Sequence, residues 1–171
     1  MKLETKRATI EFLKPSDFDE LLEMFVEKDT FKYIKPLKDK SIEEYKAFLE
    51  SKLKVNAQFK VMGYWVVREK RTNELIGTLN YYPLPETSGY DFKHIGAHFK
   101  RAFWGQGYSK ELLTTLIAYL NEELGEKEIL AILESDHLVS KKMLQRLGFK
   151  FLMFFELGTE KLEMFKLSIE D

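Results

Sequence analysis

The chain has 171 residues and weighs 20.2 kDa, which points to one compact domain spanning residues 1–171. It is 44% hydrophobic and 14% aromatic and has no cysteine, which excludes a disordered chain, a disulfide framework, a thiolate zinc site and a cysteine nucleophile. Its 27 Lys and Arg are balanced by 28 Asp and Glu, a formal net charge of -1. The basic excess that drives counterion release on nucleic acid is therefore missing, and no nucleic-acid partner is expected.

Ala8 to Leu13 predicts a first strand, ended by Pro15. Ser16 and Asp17 then offer N-cap oxygens to a helix with Phe18, Leu21, Leu22 and Phe25 on one face. Ser41 caps a second helix, with Glu44 placed three residues on as in a capping box and an apolar face of Ile42, Tyr45, Phe48, Leu49 and Leu53. Strands are expected over Val61 to Arg68, Leu75 to Tyr82 and Tyr90 to Phe99, the first two joined by a turn at Thr72-Asn73. A Gly-containing stretch, Phe103 to Gly107, leads into a helix with Leu112, Leu113, Leu116, Ile117, Leu120 and Leu124 on one stripe, and Gly125 stops it. Ile129 to Leu133 is an apolar run suited to a strand covered on both faces. A further helix over Leu138 to Leu147 ends at Gly148, and aromatic strands over Phe149 to Glu156 and Leu162 to Ser168 close the chain. The order βααβββαβαββ implies a mixed α/β sheet containing one strand, helix, strand crossover of the parallel kind. No apolar run approaches the ~18 residues of a membrane span. The start MKLETKRATIEF lacks the apolar centre of a signal peptide, so a cytoplasmic protein without a membrane partner is expected.

The stretch Lys100 to Leu113 carries the chemistry. A strand feeds a Gly-x-Gly turn that opens a helix, and the first N–H groups of that helix have no partner and sit at its positive end. This makes an anion site suited to a pyrophosphate. No Gly-Lys-Ser/Thr follows, which excludes a P-loop, and a dinucleotide G-x-G-x-x-G fails at Lys110.

Ala102-Phe103-Trp104-Gly105-Gln106-Gly107 resembles the motif Q/R-x-x-G-x-G/A of the GNAT superfamily of acyl-CoA-dependent N-acyltransferases. Ala102 stands in the Gln/Arg position, Arg101 lies one position early, and Tyr108-Ser109-Lys110-Glu111 continues the pattern. His137, Ser140, Leu144, Gly148 and Phe149 resemble a second motif, N-x-x-S-x-x-x-L-x-x-x-G-F, with His137 in the Asn position. The Ser-and-Leu form is similar to the Rim-type branch that acetylates ribosomal-protein N-termini. Glu4-Thr5-Lys6-Arg7, Phe31-Lys32-Tyr33-Ile34, Ser41-Ile42-Glu43-Glu44, Ile76-Gly77 and Ile95-Gly96 resemble the same branch, so the likeness covers nearly the whole chain. It implies a splayed sheet flanked by about four helices, with acetyl-CoA as co-substrate between the strand before the Gly-loop and the strand after the central helix. Backbone groups of Ala97, His98 and Phe99 would meet the pantetheine arm, and the amides of Trp104, Gly105, Gln106, Gly107 and Tyr108 the pyrophosphate. Arg101, Ser109, His137 and Lys142 complete the expected cofactor set, and Lys110, Lys141 and Arg146 lie within reach of the adenosine phosphates. The family often forms dimers, and the aromatic C-terminal strands offer a surface for one.

The reaction needs a neutral amine, a polarised carbonyl and a stabilised thiolate. An α-amine of pKa near 7.7–8.0 is roughly 10–15% neutral at pH 7, whereas a lysine near 10.4 is ~400-fold worse. An α-amine therefore asks least of a dedicated base. With Leu144 in the position where many members have a Tyr, Ser140 is the candidate hydroxyl to donate to the departing sulfur. His94, where the family commonly has a Glu, is the candidate base. His98 shares its face but lies ~13 Å along the strand, too far for a two-histidine metal site, and no metal is expected. Glu134, Glu156 and Glu160 are further carboxylates, and Phe31, Tyr33 and Tyr82 line the expected amine site. The acceptor is thus expected to be a peptide α-amine. A polyamine or aminoglycoside, or a non-catalytic acyl-CoA-binding module, stands as the alternative.

Overall fold

The computed structural model describes residues 2–84 and 88–169. Eight strands form one sheet: β1 (Lys2–Glu4), β2 (Ala8–Phe12), β3 (Gly63–Glu69), β4 (Leu75–Pro83), β5 (Lys93–Phe99), β6 (Glu128–Glu134), β7 (Lys150–Leu157) and β8 (Glu160–Ser168). Four α-helices accompany them: α1 (Phe18–Val26), α2 (Ile42–Phe59), α3 (Tyr108–Glu122) and α4 (Leu138–Arg146). In space the strands run β1-β2-β3-β4-β5-β6-β8-β7. All neighbours are antiparallel except β5 and β6, which α3 joins as a parallel crossover. The mixed α/β architecture is the expected one, with β1 as an additional strand, so the order becomes ββααβββαβαββ.

The two faces of the sheet bury different side chains. One core holds Trp65, Val67, Ile76, Leu79 and Ile129 against Leu112, Leu113, Leu116 and Leu120 of α3 and Leu144 of α4. The other holds Tyr64, Val66 and Leu75 against Leu21, Leu22 and Phe25 of α1 and Tyr45 and Leu49 of α2. Alternation along β3 explains how Trp65 and Val66 serve opposite faces. At α2 the capping box forms: the Glu44 amide donates to Ser41 Oγ at 3.1 Å, and the Ser41 amide to Glu44 Oε2 at 2.8 Å.

Three local expectations are corrected. Asp17 makes no side-chain cap on α1. Its carboxylate accepts instead from the Lys14 amide at 2.8 Å and from Arg68 Nη2 at 3.0 Å, a charge-assisted pair that outcompetes a neutral N–H. Ile42 is exposed, because at the first turn of α2 it lies beyond the apolar seam. The strand expected from Tyr90 starts at Lys93, and Tyr90 and Phe92 instead pack edge-on against Phe155.

Candidate active site

The site follows from one break in the sheet. β5 pairs with β4 from Lys93 to Phe99, yet meets β6 only through His94↔Leu130 and Ile95↔Ala131 among the described residues. Beyond Ile95 the two strands part. The Lys100 amide donates to Ile76 at 2.8 Å, so by antiparallel alternation His98 and Gly96 also spend their backbone groups on β4. Those of Ala97 and Phe99 point into the gap. Of the three expected backbone contacts, His98 is thus turned the other way. The Phe99 carbonyl accepts from the Trp104 indole at 2.8 Å, which leaves both groups of Ala97 and the Phe99 N–H for a ligand.

The gap ends at the start of α3. Gly105 and Gly107 have φ of 72° and 80°, left-handed values that a Cβ disfavours. Gly107 is the N-cap and brings no side-chain cap. The Trp104 amide donates to Arg101 at 3.1 Å, so the 3-10 turn at Arg101–Phe103 uses one expected pyrophosphate donor. The amides from Gly105 to Lys110 have no acceptor among the described residues, and the first helical bond is Glu111 to Gly107. Gln106 turns its own amide group back to the Ala102 carbonyl at 2.6 Å. Ser109 is half-buried on the first turn, while Arg101, Lys110, Lys142 and Arg146 are exposed around it. Lys141 is engaged elsewhere: its ammonium bonds Glu163 at 2.9 Å, neutralising a buried carboxylate rather than facing the gap.

Arg7 holds this loop, a role that no spacing in the sequence announces. Its Nε donates to Glu111 at 2.7 Å and its Nη1 to the Gln106 carbonyl at 3.0 Å, while the guanidinium covers the Tyr108 ring at 3.9 Å. A single side chain from the β1–β2 connection thus ties the middle of the Gly-x-Gly turn to the first turn of α3.

Across the gap stands the N-terminus of α4. Ser140 Oγ lies 2.8 Å from Nε2 of His137, the N-cap residue. The His137 ring stacks on Tyr33 at 4.0 Å and 20°, and its Nδ1 is buried without a partner among the described residues. Burial lowers the His137 pKa, against the opposing pull of Asp136. His98 packs on Phe31 at 4.8 Å; burial and then the neighbouring His137 bring its imidazole down to about 4. Phe31, Tyr33, His98, His137 and Ser140 therefore form one aromatic and imidazole cluster. Lys35 closes it from outside, bonding Glu160 at 2.8 Å, while its amide donates to the buried Glu134 at 3.3 Å.

His94 and Tyr82 form a second group where the strands begin to part, with rings 5.6 Å apart. The His94 Nδ1 is sealed without a partner among the described residues, and burial, then the Lys52 charge, push its pKa to about 4. Such a group holds a proton in roughly 0.1% of molecules at pH 7, which makes it a poor proton sink. Lys52 also belongs to this group, though no motif marks it. Its ammonium sits over Phe48 at 4.7 Å and Tyr82 at 4.5 Å, and burial lowers its pKa to about 8. The signal was its place on the apolar side of α2, four residues after Phe48.

These features fit a thioester substrate with a pyrophosphate: an open strand edge for an amide-bearing arm, free amides at a helix start, and a hydroxyl opposite. Residues 7–150 match the family model described as an acetyltransferase (GNAT) domain. The chain is 22% identical over 148 residues to the uncharacterised N-acetyltransferase YoaA of Bacillus subtilis (strain 168), covering 86% of this chain and 82% of YoaA. Its fold is similar to that of a GnaT-family acetyltransferase from Bordetella pertussis, with a TM-score of 0.83 at 16% identity over 97% of this chain and 98% of that one. It is also similar to RimL, a ribosomal L7/L12 α-N-protein acetyltransferase solved with coenzyme A, with a TM-score of 0.79 at 15% identity over 99% and 98% of the two chains. With its splayed sheet and Gly-x-Gly helix start, the chain belongs to the GNAT family of acyl-CoA-dependent N-acetyltransferases.

Proposed function

We propose that this enzyme transfers the acetyl group of acetyl-CoA to the α-amine of a protein or peptide N-terminus. The observation that carries the reading is the cluster of Tyr33, His137 and Ser140 facing the parted strands β5 and β6. Similarity to RimL, whose substrate is a protein α-amine, supports the acceptor class.

Ala97 and Phe99 would bond the pantetheine arm, and the amides from Gly105 to Lys110 would hold the pyrophosphate, each charged hydrogen bond contributing roughly 1.5–3 kcal/mol. The neutral amine attacks the acetyl carbonyl carbon, its surplus proton passes to solvent water, and the carbon–sulfur bond breaks to leave a thiolate. Ser140 donates a hydrogen bond to that sulfur and keeps its own proton. For this the hydroxyl must not donate to His137, and the burial of Nδ1 supports a bond that runs the other way. An N–H buried without an acceptor is rarer and costlier than a bare acceptor, so the His137 proton resides on Nε2 and donates to Ser140 Oγ. The Ser140 O–H then points outward and donates its hydrogen bond to the departing sulfur, and the thiolate takes its proton from solvent.

His94 acts, at most, as a neutral relay. The amine's loss of its ammonium proton is assisted by Lys52, whose positive charge near the acceptor favours the neutral form of a second amine. An α-amine near pKa 8 needs little further help. The direct test is mass spectrometry of peptides incubated with acetyl-CoA. A free-α-amine peptide should gain one acetyl group, and its Nα-blocked, lysine-containing counterpart none. Acetylation of polyamines or aminoglycosides with no peptide product would overturn the assignment.

A further inference from the structure

Helix α2 walls one side of the open strand. Its Tyr45 stands 5.5 Å from Phe31, which in turn packs on His98 at 4.8 Å. About two turns further on, Lys52 of α2 sits over Tyr82 at 4.5 Å, and that ring lies 5.6 Å from His94. The helix therefore runs along the β5 face that carries His94, Gly96 and His98. Between the two histidines the floor has no side chain of its own. A Cβ on Gly96 would collide with Oδ1 of Asn80, whose amide reaches across from β4. Nδ2 of Asn80 donates to the His94 carbonyl at 3.4 Å, and its Oδ1 has no donor among the described residues, which leaves an acceptor atom open to an amine.

Lys52 is the unusual charge on this wall. Lys35, at the far end, comes with its own carboxylate, Glu160 at 2.8 Å, and the part-buried Lys141 with Oε2 of Glu163 at 2.8 Å. Lys52 forms no ion pair among the described residues, and burial alone shifts its pKa, with no carboxylate pulling it back up. The ring faces of Phe48 and Tyr82 stand in for part of the lost water. They carry no charge, so a half-buried ammonium beside an amine site is left without a counter-ion. The acceptor is the group that arrives there and can bring one.

On the reading that the acceptor is a peptide α-amine, we infer that Lys52 is a specificity residue that pairs with a carboxylate next to that amine, so that the preferred N-terminus carries Asp or Glu as its second residue. The same ammonium repels a basic side chain in that place, so discrimination has an attractive and a repulsive part. Lys52 stays charged in the pair, and its pull on the amine proton is weakened rather than lost. The gain therefore falls mainly on the KM of the peptide.

The test compares three peptides that differ only in the second residue, Ser-Asp, Ser-Asn and Ser-Lys at a free N-terminus, with free aspartate as a fourth acceptor. The wild type should use the Asp peptide about tenfold better than the Asn peptide in kcat/KM, and the Lys peptide least. Lys52→Met, checked for folding by circular dichroism and for CoA binding, should acetylate the three peptides with nearly equal efficiency, and Lys52→Arg should keep the wild-type order. Equal use of the three peptides by the wild type would overturn this inference and leave the α-amine reading standing, as would an Asp preference that survives in Lys52→Met. Failure of all three peptides, with or without turnover of free aspartate, would remove the α-amine reading and this inference with it.

Discussion

Nε2 of His137 and Oγ of Ser140 lie 2.8 Å apart on the first turn of α4, with the other ring nitrogen buried and unpartnered among the described residues. The pairing arises because the position that carries Asn in the family motif carries an imidazole here, within reach of the serine three residues on. Ser140→Ala should lower kcat 10- to 100-fold with little change in the KM for acetyl-CoA, since its bond strengthens as charge builds on sulfur. His137→Asn should lose less than Ser140→Ala, and the double variant should be no worse than Ser140→Ala alone. Stopped-flow turnover under conditions where chemistry limits the rate checks both; a Ser140→Ala enzyme with unchanged kcat would remove the serine from the reaction.

Arg7 supplies the next prediction. Arg7→Leu removes the Glu111 pair, the bond to Gln106 and the cover over Tyr108 together. It should raise the KM for acetyl-CoA severalfold and destabilise the fold by roughly 1–3 kcal/mol, the cost of charged hydrogen bonds lost. Steady-state kinetics alongside urea denaturation would separate the two effects.

Gly107→Val should be harsher on binding than on folding. Space is not the obstacle, since a Cβ there would meet only Arg7 Nη2 at 3.7 Å. The left-handed φ of 80° is the obstacle, because a β-branched residue avoids it and would re-aim the free amides. CoA at a hundredfold excess over its Kd should stabilise the wild type by about 2.7 kcal/mol. The variant should show none of this stabilisation while keeping its helical circular dichroism.

His94 and His98 make stability pH-dependent in a definite direction. Each titrates near 4 when folded against 6.5 when free, so the unfolded chain binds more protons between those values. Stability is then complete above pH 6.5 and falls as the pH drops toward 4, by on the order of 1–3 kcal/mol for each imidazole. Urea midpoints measured across that window should show a shallower fall for His94→Gln than for the wild type. An equal slope would mean that His94 is not held neutral by burial.

The parts of the molecule written in local signals were legible beforehand. Ser41 with Glu44 marked the start of α2, Gly105 with Gly107 marked the start of α3, and the unbroken apolar run at Ile129 marked a strand, although Ile129, Ala131 and Leu133 are buried while Leu130 and Ile132 on its other face are only half-buried. The parts made by distant pairs were not. Asp17 looked like a helix cap until Arg68, 51 residues away, claimed its carboxylate. Lys141 looked free for phosphate until β8 brought Glu163 beside it. The tie of Arg7 to Glu111 spans 104 residues, and the low proton affinity of His94 comes from its burial and from Lys52 on another element. Ser140 and His137 were both picked out by the motif, but their contact with each other required the helix geometry.

The central claim is transfer of acetyl from acetyl-CoA to a peptide α-amine with Ser140 as the hydrogen-bond donor to the departing sulfur. It is tested most directly by single-turnover release of CoA thiol in wild type and Ser140→Ala, with a free-α-amine peptide as acceptor and both enzymes saturated with acetyl-CoA. The account predicts stoichiometric thiol release coupled to acetyl-peptide in the wild type and the same chemistry slowed 10- to 100-fold in the variant, with acetyl-CoA affinity preserved. Equal rates in the two enzymes, or thiol release without acetylated peptide, would contradict it.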